Sequence, residues 1–209
     1  MARLVLASAS PRRKELLARL GIPFDVRPVD ISEDPGRSTN PQIVARRLAR
    51  AKAEAARLID EHAPVLAADT VVALDGRIFG KPADADEARE MLRTLRGRTH
   101  EVVSAVALLP LGKRSALSRH PVTRVTTREY THDEIEASVA SGVPLDKAGA
   151  YAIQDSSLHP VGRYEGCYCN VVGLSLWATI ELLRKMGEPP DVRAVQFLPE
   201  CAMCPLKHS

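Results

Sequence analysis

The segment Ser8-Ala9-Ser10-Pro11-Arg12-Arg13 follows a short apolar run and opens a helix. Small residues, a proline and two arginines at that place suit an anion. The first N–H groups of a helix lack intrahelical partners and point outward, and the helix dipole adds partial positive charge. Arginine in a first turn opposes that dipole, an opposition that phosphate oxygens facing the guanidinium would cancel. Taken alone, the segment is equally a capped helix with solvated arginines. Ala67-Ala68-Asp69-Thr70 puts a carboxylate directly after a predicted buried strand, where α/β sheets hold their ligands. Asp69 is there a general base, a metal ligand or a plain strand-end turn residue.

Other residues gain meaning only in company. In Asp146-Lys147-Ala148-Gly149-Ala150-Tyr151-Ala152-Ile153-Gln154, small residues allow close backbone approach, and Gln154 offers donor and acceptor to a base edge. Lys81, in Gly80-Lys81-Pro82, either reaches a phosphate or is solvated, and alone the solvated reading is the better. Lys52 sits at the edge of an apolar helix face, where a snorkelling surface lysine is expected. Asp30 and Glu33 lie in an acidic loop that could help hold a divalent cation beside a triphosphate, or simply be solvated; Mg²⁺ takes one or two carboxylates plus phosphates. The four cysteines form Cys167-Tyr168-Cys169 and Cys201-Ala202-Met203-Cys204, with His208 behind. They could make a zinc site, but CxC with CxxC is not a common ribbon spacing and one pair falls in a predicted tail, so thiols without a metal are expected.

Composition narrows the class. The 209 residues suffice for one substantial domain, and 45% hydrophobic with 26% charged residues is ordinary for a folded soluble chain. A net charge of +3 and few aromatics argue against a nucleic-acid coat, a base-stacking platform or a polybasic membrane anchor. The apolar start, Met1 to Ala7, ends too soon for a signal peptide and predicts a buried strand. No apolar run is long enough to span a bilayer, so the cytoplasm is the expected location.

The elements that must position these residues follow from periodicity and caps. Strands are predicted at Leu4–Ala7, Phe24–Val29 and Val65–Ala68, with a loop over Asp30–Asn40. Val71–Leu74, Asp75-Gly76 and Arg77–Phe79 predict a hairpin. Glu101–Leu109 and Val122–Tyr130 predict two long antiparallel strands. Helices are predicted from Ser10-Pro11 to Gly21, from Asn40-Pro41 with Ile43, Val44, Leu48 and Ala51 on one face, over Asp84–Leu95, from the capping box at Thr131 to Gly142, and over Leu174–Met186. Interleaved strands and helices with an antiparallel pair give α/β with a mixed sheet. Residues 1–187 form the predicted domain, and 188–209 a Pro- and Cys-containing, loosely held tail.

Leu6–Leu17, Leu48–Ala53, Ala68–Thr70, Gly80–Pro82, Asp146–Gln154 and Asn170–Leu174, in this order, resemble the Maf family. The resemblance runs from about residue 3 to 186. It implies an elongated mixed sheet with flanking helices and two lobes around a cleft, similar to the inosine triphosphatase group. It implies a cytoplasmic nucleoside triphosphate pyrophosphatase, dependent on a divalent cation (Mg²⁺ or Mn²⁺), that gives a monophosphate and pyrophosphate in nucleotide-pool house-cleaning. Its partner is a nucleotide, with no nucleic acid and no membrane; frequent dimers in the family leave a homodimer open. Arg12, Thr70 and Gln154 agree with the subgroup acting on dTTP and UTP, and modified pyrimidine nucleotides belong to the same expectation. By the same carry-over Asp69 is the proton acceptor, Ser8, Arg13, Lys52 and Lys81 bind the triphosphate, and Glu33 and Asp69 hold the metal. A regulator of septum formation that binds nucleotide is the alternative. Val-Gly-Leu-Ser stands where the family often has Val-Gly-Leu-Pro, a change expected to touch only the start of the last helix.

Overall fold

The structure, a computed structural model, describes residues 3–34 and 36–208, apart from the side chains of 202, 203 and 208. Met1, Ala2, Pro35 and the side chain of His208, which entered the reading above, lie outside the described residues. The chain forms a mixed eight-stranded sheet flanked by helices, as its interleaved pattern predicts. Two long strands organise it. Strand β3, Val65–Leu74, runs antiparallel to β5, Thr99–Leu109, from the pair Val65↔Leu109 to Ala73↔Glu101. On the far edge of β3, β1 (Leu4–Leu6) pairs in parallel with Val65 and Leu66, and β2 (Phe24–Val26) pairs in parallel with β1. Further along that edge β4 (Arg77–Phe79) pairs with Val72–Leu74, across a turn in which Asp75 and Gly76 both have positive φ, 50° and 77°. That geometry is what Asp-Gly in a two-residue hairpin provides. β6 (Leu117–Arg119), β7 (Val122–Thr127) and β8 (Val161–Glu165) complete the sheet beyond β5.

Strand alternation divides the core. Val65 and Ala67 of β3, with Val103, Ala105 and Ala107 of β5, face helix α2, Pro41–Ile59. The opposite face carries Leu66 and Ala68 with Val106 and Leu108, covered by α1 (Pro11–Ala18) and α6 (Leu176–Met186). The same face continues with Val72, Leu74 and Val102 under α3 (Ala85–Leu95) and α4 (His132–Ala140). Between these two apolar clusters lie Thr70 and Ser104, paired in register. The two expected lobes are thus two cores on one face of a shared sheet, separated by a polar strip.

Local chemistry starts and stops the helices as foreseen. Ser10 caps α1 with Pro11 at the first position, and Asn40 caps α2 by accepting from the Gln42 and Ile43 amides. Thr131 and Glu134 form a reciprocal capping box on α4, and Gly187 ends α6 in the left-handed region.

Several expectations need correction. β3 does not stop at Ala68 but continues through Asp69 and Thr70 to Leu74, because every second residue of that stretch remains buried against one core or the other. The strand predicted to Tyr130 leaves the sheet at Thr127, and Tyr130 turns into the core, its hydroxyl donating to the Leu92 carbonyl. The inner face of α2 is Val44, Ala45, Leu48, Ala49, Ala53 and Ala56, whereas Ile43 is 47% exposed. The segment beyond Glu188 is not loosely held: Val195, Cys201 and Cys204 are buried in the α1–α6 core, and Phe197 stacks on Trp177 with ring centroids 4.5 Å apart. Among the described residues no helix is long and apolar enough to cross a membrane.

Candidate active site

A break in strand pairing opens the site. β1 pairs with β3 only at Val65 and Leu66, and β4 only from Val72 onward. The edge of β3 between them, with Asp69 and Thr70, borders a cleft of about 820 Å³. This is in the size range of small-molecule sites. Ser8–Arg13 form one wall, Arg77–Lys81 another, and Asp146–Gln154 close the far side.

Asp69 projects toward α2. The alanines of that helix and of the sheet beneath allow close approach, so that Lys52, which falls on the inner stripe of α2, reaches the strand. Its Nζ donates to Asp69 Oδ1 at 2.6 Å and to Glu33 Oε1 at 2.5 Å. Lys52 is buried, not a snorkelling surface residue; a lysine on an inner helix stripe needs such partners. Burial raises the Asp69 pKa above the ordinary carboxylate value, against the opposing charges of Lys52 and Arg13. Glu33 stays exposed: what burial it has pulls its pKa up, but Lys52 and Lys81 outweigh that and hold it below the ordinary value. Lys81 Nζ lies 3.1 Å from Glu33 Oε2, so it joins the cluster at the mouth of the cleft.

Thr70 projects to the opposite face, toward Arg13. Arg13 Nη2 donates to Thr70 Oγ1 at 3.0 Å, and Nε donates to the Gly173 carbonyl at 3.0 Å. Its Nη1 lies 3.5 Å from Ser8 Oγ. Burial lowers the Arg13 pKa, while Asp69 and Glu33 favour its charged form. Arg12, one position earlier and about 100° round the helix, turns instead to the far wall, 3.9 Å from Asp146. The two arginines therefore divide: Arg13 is locked in the floor and Arg12 stands at the rim. Gln154 is exposed on the same rim.

Ser104 and Asn170 went unnoticed as site residues in the sequence. Ser104 Oγ lies 2.7 Å from Thr70 Oγ1 and 2.6 Å from the Asn170 carbonyl, while the Ser104 amide donates to Asn170 Oδ1 at 2.9 Å. Asn170 Nδ2 donates to the Val102 carbonyl and to Thr123 Oγ1. This chain of bonds fixes α5, Tyr168–Val172, over the polar strip and so fixes the Gly173 carbonyl that holds Arg13. The available signal was Ser104 itself, a single hydroxyl between Val102 and Val106 on one face of β5.

The residues that the motif order singled out thus converge on one cleft. Residues 3–186 match the Maf-like protein family. The chain belongs to that family. Curated relatives include a dTTP/UTP pyrophosphatase of Thermomicrobium roseum, 53% identical over 207 residues and covering 97% of this chain and 93% of its own. A dTTP/UTP pyrophosphatase of Moorella thermoacetica is 50% identical over 189 residues, covering 90% of this chain and 96% of its own. Among solved structures, a nucleoside-triphosphatase (dITP/XTP pyrophosphatase) of Mycobacterium abscessus overlaps 88% of this chain and 95% of its own at 15% identity, with a TM-score of 0.45. In Maf-like terms, the cleft collects the Ser8–Arg13 turn, Lys52, Asp69-Thr70, Lys81 and the Asp146–Gln154 loop in one place.

Proposed function

We propose that this Maf-like chain hydrolyses dTTP, UTP and modified pyrimidine nucleoside triphosphates to the monophosphate and pyrophosphate, clearing the nucleotide pool. The observation that carries this reading is the meeting of Asp69, Lys52 and Glu33 with the amino-terminal turn of α1 and Arg13 in one cleft. Cationic side chains and a helix start suit a triphosphate. A buried carboxylate with a raised pKa suits a base working near neutral pH.

In this mechanism the triphosphate lies along Ser8–Arg13 with Lys52 and Lys81 beside it. Asp69 orients a water for in-line attack on the α-phosphorus and takes its proton. The new O–Pα bond forms as the bond from Pα to the bridging oxygen breaks, and pyrophosphate leaves. Arg13, held by Thr70 and Gly173, keeps its charge fixed in the floor, where it costs no reorganisation as the reaction proceeds. Arg12 and Gln154 read the nucleoside from the rim, and Thr70 contributes by holding Arg13.

The donor chemistry fits a divalent cation. Asp69 and Glu33 are hard oxygen donors joined through one lysine, and Mg²⁺ is bound through one or two carboxylates together with substrate phosphates. Such an ion would supply charge neutralisation at the triphosphate. Incubating the protein with Mg²⁺ and a panel of nucleoside triphosphates, with separate detection of pyrophosphate and orthophosphate, tests the reading. Pyrophosphate from dTTP and UTP ahead of purine nucleotides is expected; orthophosphate alone, or no product, overturns it. Asp69→Asn should bind nucleotide but lose turnover by at least about 100-fold; a fully active variant would remove Asp69 from the role of base.

A further inference from the structure

The four cysteines, 32 or more positions apart between the two pairs, come together. Cys167 and Cys169 flank the start of α5, and Cys201 and Cys204 come from the 3₁₀ turn at Pro199–Met203 and its end. All four are buried and free, in the core beneath α1 and α6. Cys169 Sγ lies 3.0 Å from Cys201 Sγ, and Cys167 and Cys204 belong to the same buried cluster.

Cys167 is the N-cap of α5: its amide donates to Thr123 Oγ1 at 3.1 Å, its carbonyl accepts from the Asn170 amide at 3.1 Å, and its thiol lies 3.5 Å from Ser175 Oγ. Four cysteines gathered in one core have the ligand chemistry of a structural zinc site. The described residues contain no ready cage of metal ligands, so zinc binding would draw the four sulfurs together. The change needed is small. Zn–S bonds of about 2.3 Å place tetrahedral sulfurs roughly 3.8 Å apart, so the Cys169–Cys201 contact would open by less than about 1 Å. The same contact is well beyond the roughly 2.05 Å of a disulfide.

We propose that Cys167, Cys169, Cys201 and Cys204 form a structural tetrathiolate zinc site that pins the C-terminal segment to the segment bearing Asn170 and Gly173. Zinc enters as Zn²⁺ and displaces four thiol protons, with no change of oxidation state. The site departs from the expectation of metal-free thiols, which rested on the uncommon cysteine spacing and on a loose tail. It also gives residues 188–208 a role: they brace α5, whose Asn170 and following Gly173 hold Ser104, Thr70 and Arg13.

The test is elemental analysis of the full-length protein purified under reducing conditions without added chelator. About one zinc per chain is expected, released when a mercurial titrates the thiols. Because Cys201→Ser/Cys204→Ser could fail to fold, the wild-type protein loaded with Co²⁺ supplies a second readout: intense sulfur-to-cobalt absorption and visible bands of tetrahedral coordination. The double variant, where soluble, should retain less than about a tenth of the zinc and melt roughly 10 °C lower. Metal-free wild-type protein with four freely titrating thiols, or a mass showing two disulfides, would overturn the proposal. So would a Co²⁺ spectrum without sulfur bands.

Discussion

Replacing Lys52 with methionine is the perturbation that most sharply probes the site. Its ammonium sits 2.6 Å from Asp69 Oδ1 and 2.5 Å from Glu33 Oε1, with the lysine and aspartate side chains 9% and 7% exposed. Methionine keeps the length and apolar stem but removes the charge. The buried carboxylate of Asp69 then has lost its nearest counter-ion, a change that costs about 3–5 kcal/mol in comparable buried pairs. For a chain of this size that is a fall in Tm of roughly 10 °C. Asp69→Asn in the Lys52→Met background removes the stranded charge, so the double variant should be more stable than the sum of the single losses predicts, with a coupling of about 1–3 kcal/mol. Urea unfolding of the four proteins completes the cycle. A Lys52→Met loss under about 1 kcal/mol, or strict additivity, would refute the reasoning that Lys52 is in the site to neutralise Asp69.

Other outcomes follow from the same geometry. Thr70→Val removes the hydroxyl between Arg13 and Ser104 and should lower kcat/KM for dTTP by about 10- to 100-fold, the worth of one hydrogen bond to a charged group; less than threefold would free Arg13 from dependence on Thr70. Gly149 has φ 71°, and a Cβ there would stand 3.0 Å from Val72 Cγ2 and 3.2 Å from Leu95 Cδ1. Gly149→Ala should cost about 1–3 kcal/mol in thermal or urea unfolding and raise KM, because the Gly149 amide ties the Gln154 loop to the Gly80 carbonyl; a neutral substitution contradicts this. His100, hydrogen-bonded to Tyr151 at 2.6 Å, has its pKa lowered by burial to about 4 from 6.5. The unfolded chain therefore binds a proton between those values that the native chain does not, so this contribution is intact above pH 6.5 and shrinks as pH falls toward 4, by about 3 kcal/mol. His100→Gln should flatten that part of the stability profile, and an unchanged slope between pH 7 and 4 would remove His100 as its source.

Much of the positioning is local, and local signals are legible. Ser10-Pro11, Asn40-Pro41, Thr131 with Glu134, and Asp75-Gly76 each specify a cap or turn through their own side chains, and each is found where expected. Asp69 stands out because a carboxylate amid valine and alanine must have a reason. Its partner was harder to see. Lys52 is one of many lysines and arginines, and only the packing of α2 on the sheet shows that its stem runs inward. The same holds for Thr70, whose partner Ser104 is 34 positions away across a strand pair. α5 escaped notice because its five residues, with two valines, carry no helical period. The C-terminal segment was misjudged for a related reason: prolines and polar residues suggest a tail, while its burial depends on its own Phe197 and cysteines meeting Trp177, Cys167 and Cys169 from elsewhere in the chain.

Hydrolysis of dTTP in ¹⁸O-enriched water, with mass analysis of both products, tests the central claim most directly. Attack on the α-phosphorus from a water oriented by Asp69 puts the heavy oxygen in dTMP and leaves pyrophosphate unlabelled. Label in pyrophosphate, or release of labelled orthophosphate, would contradict the account.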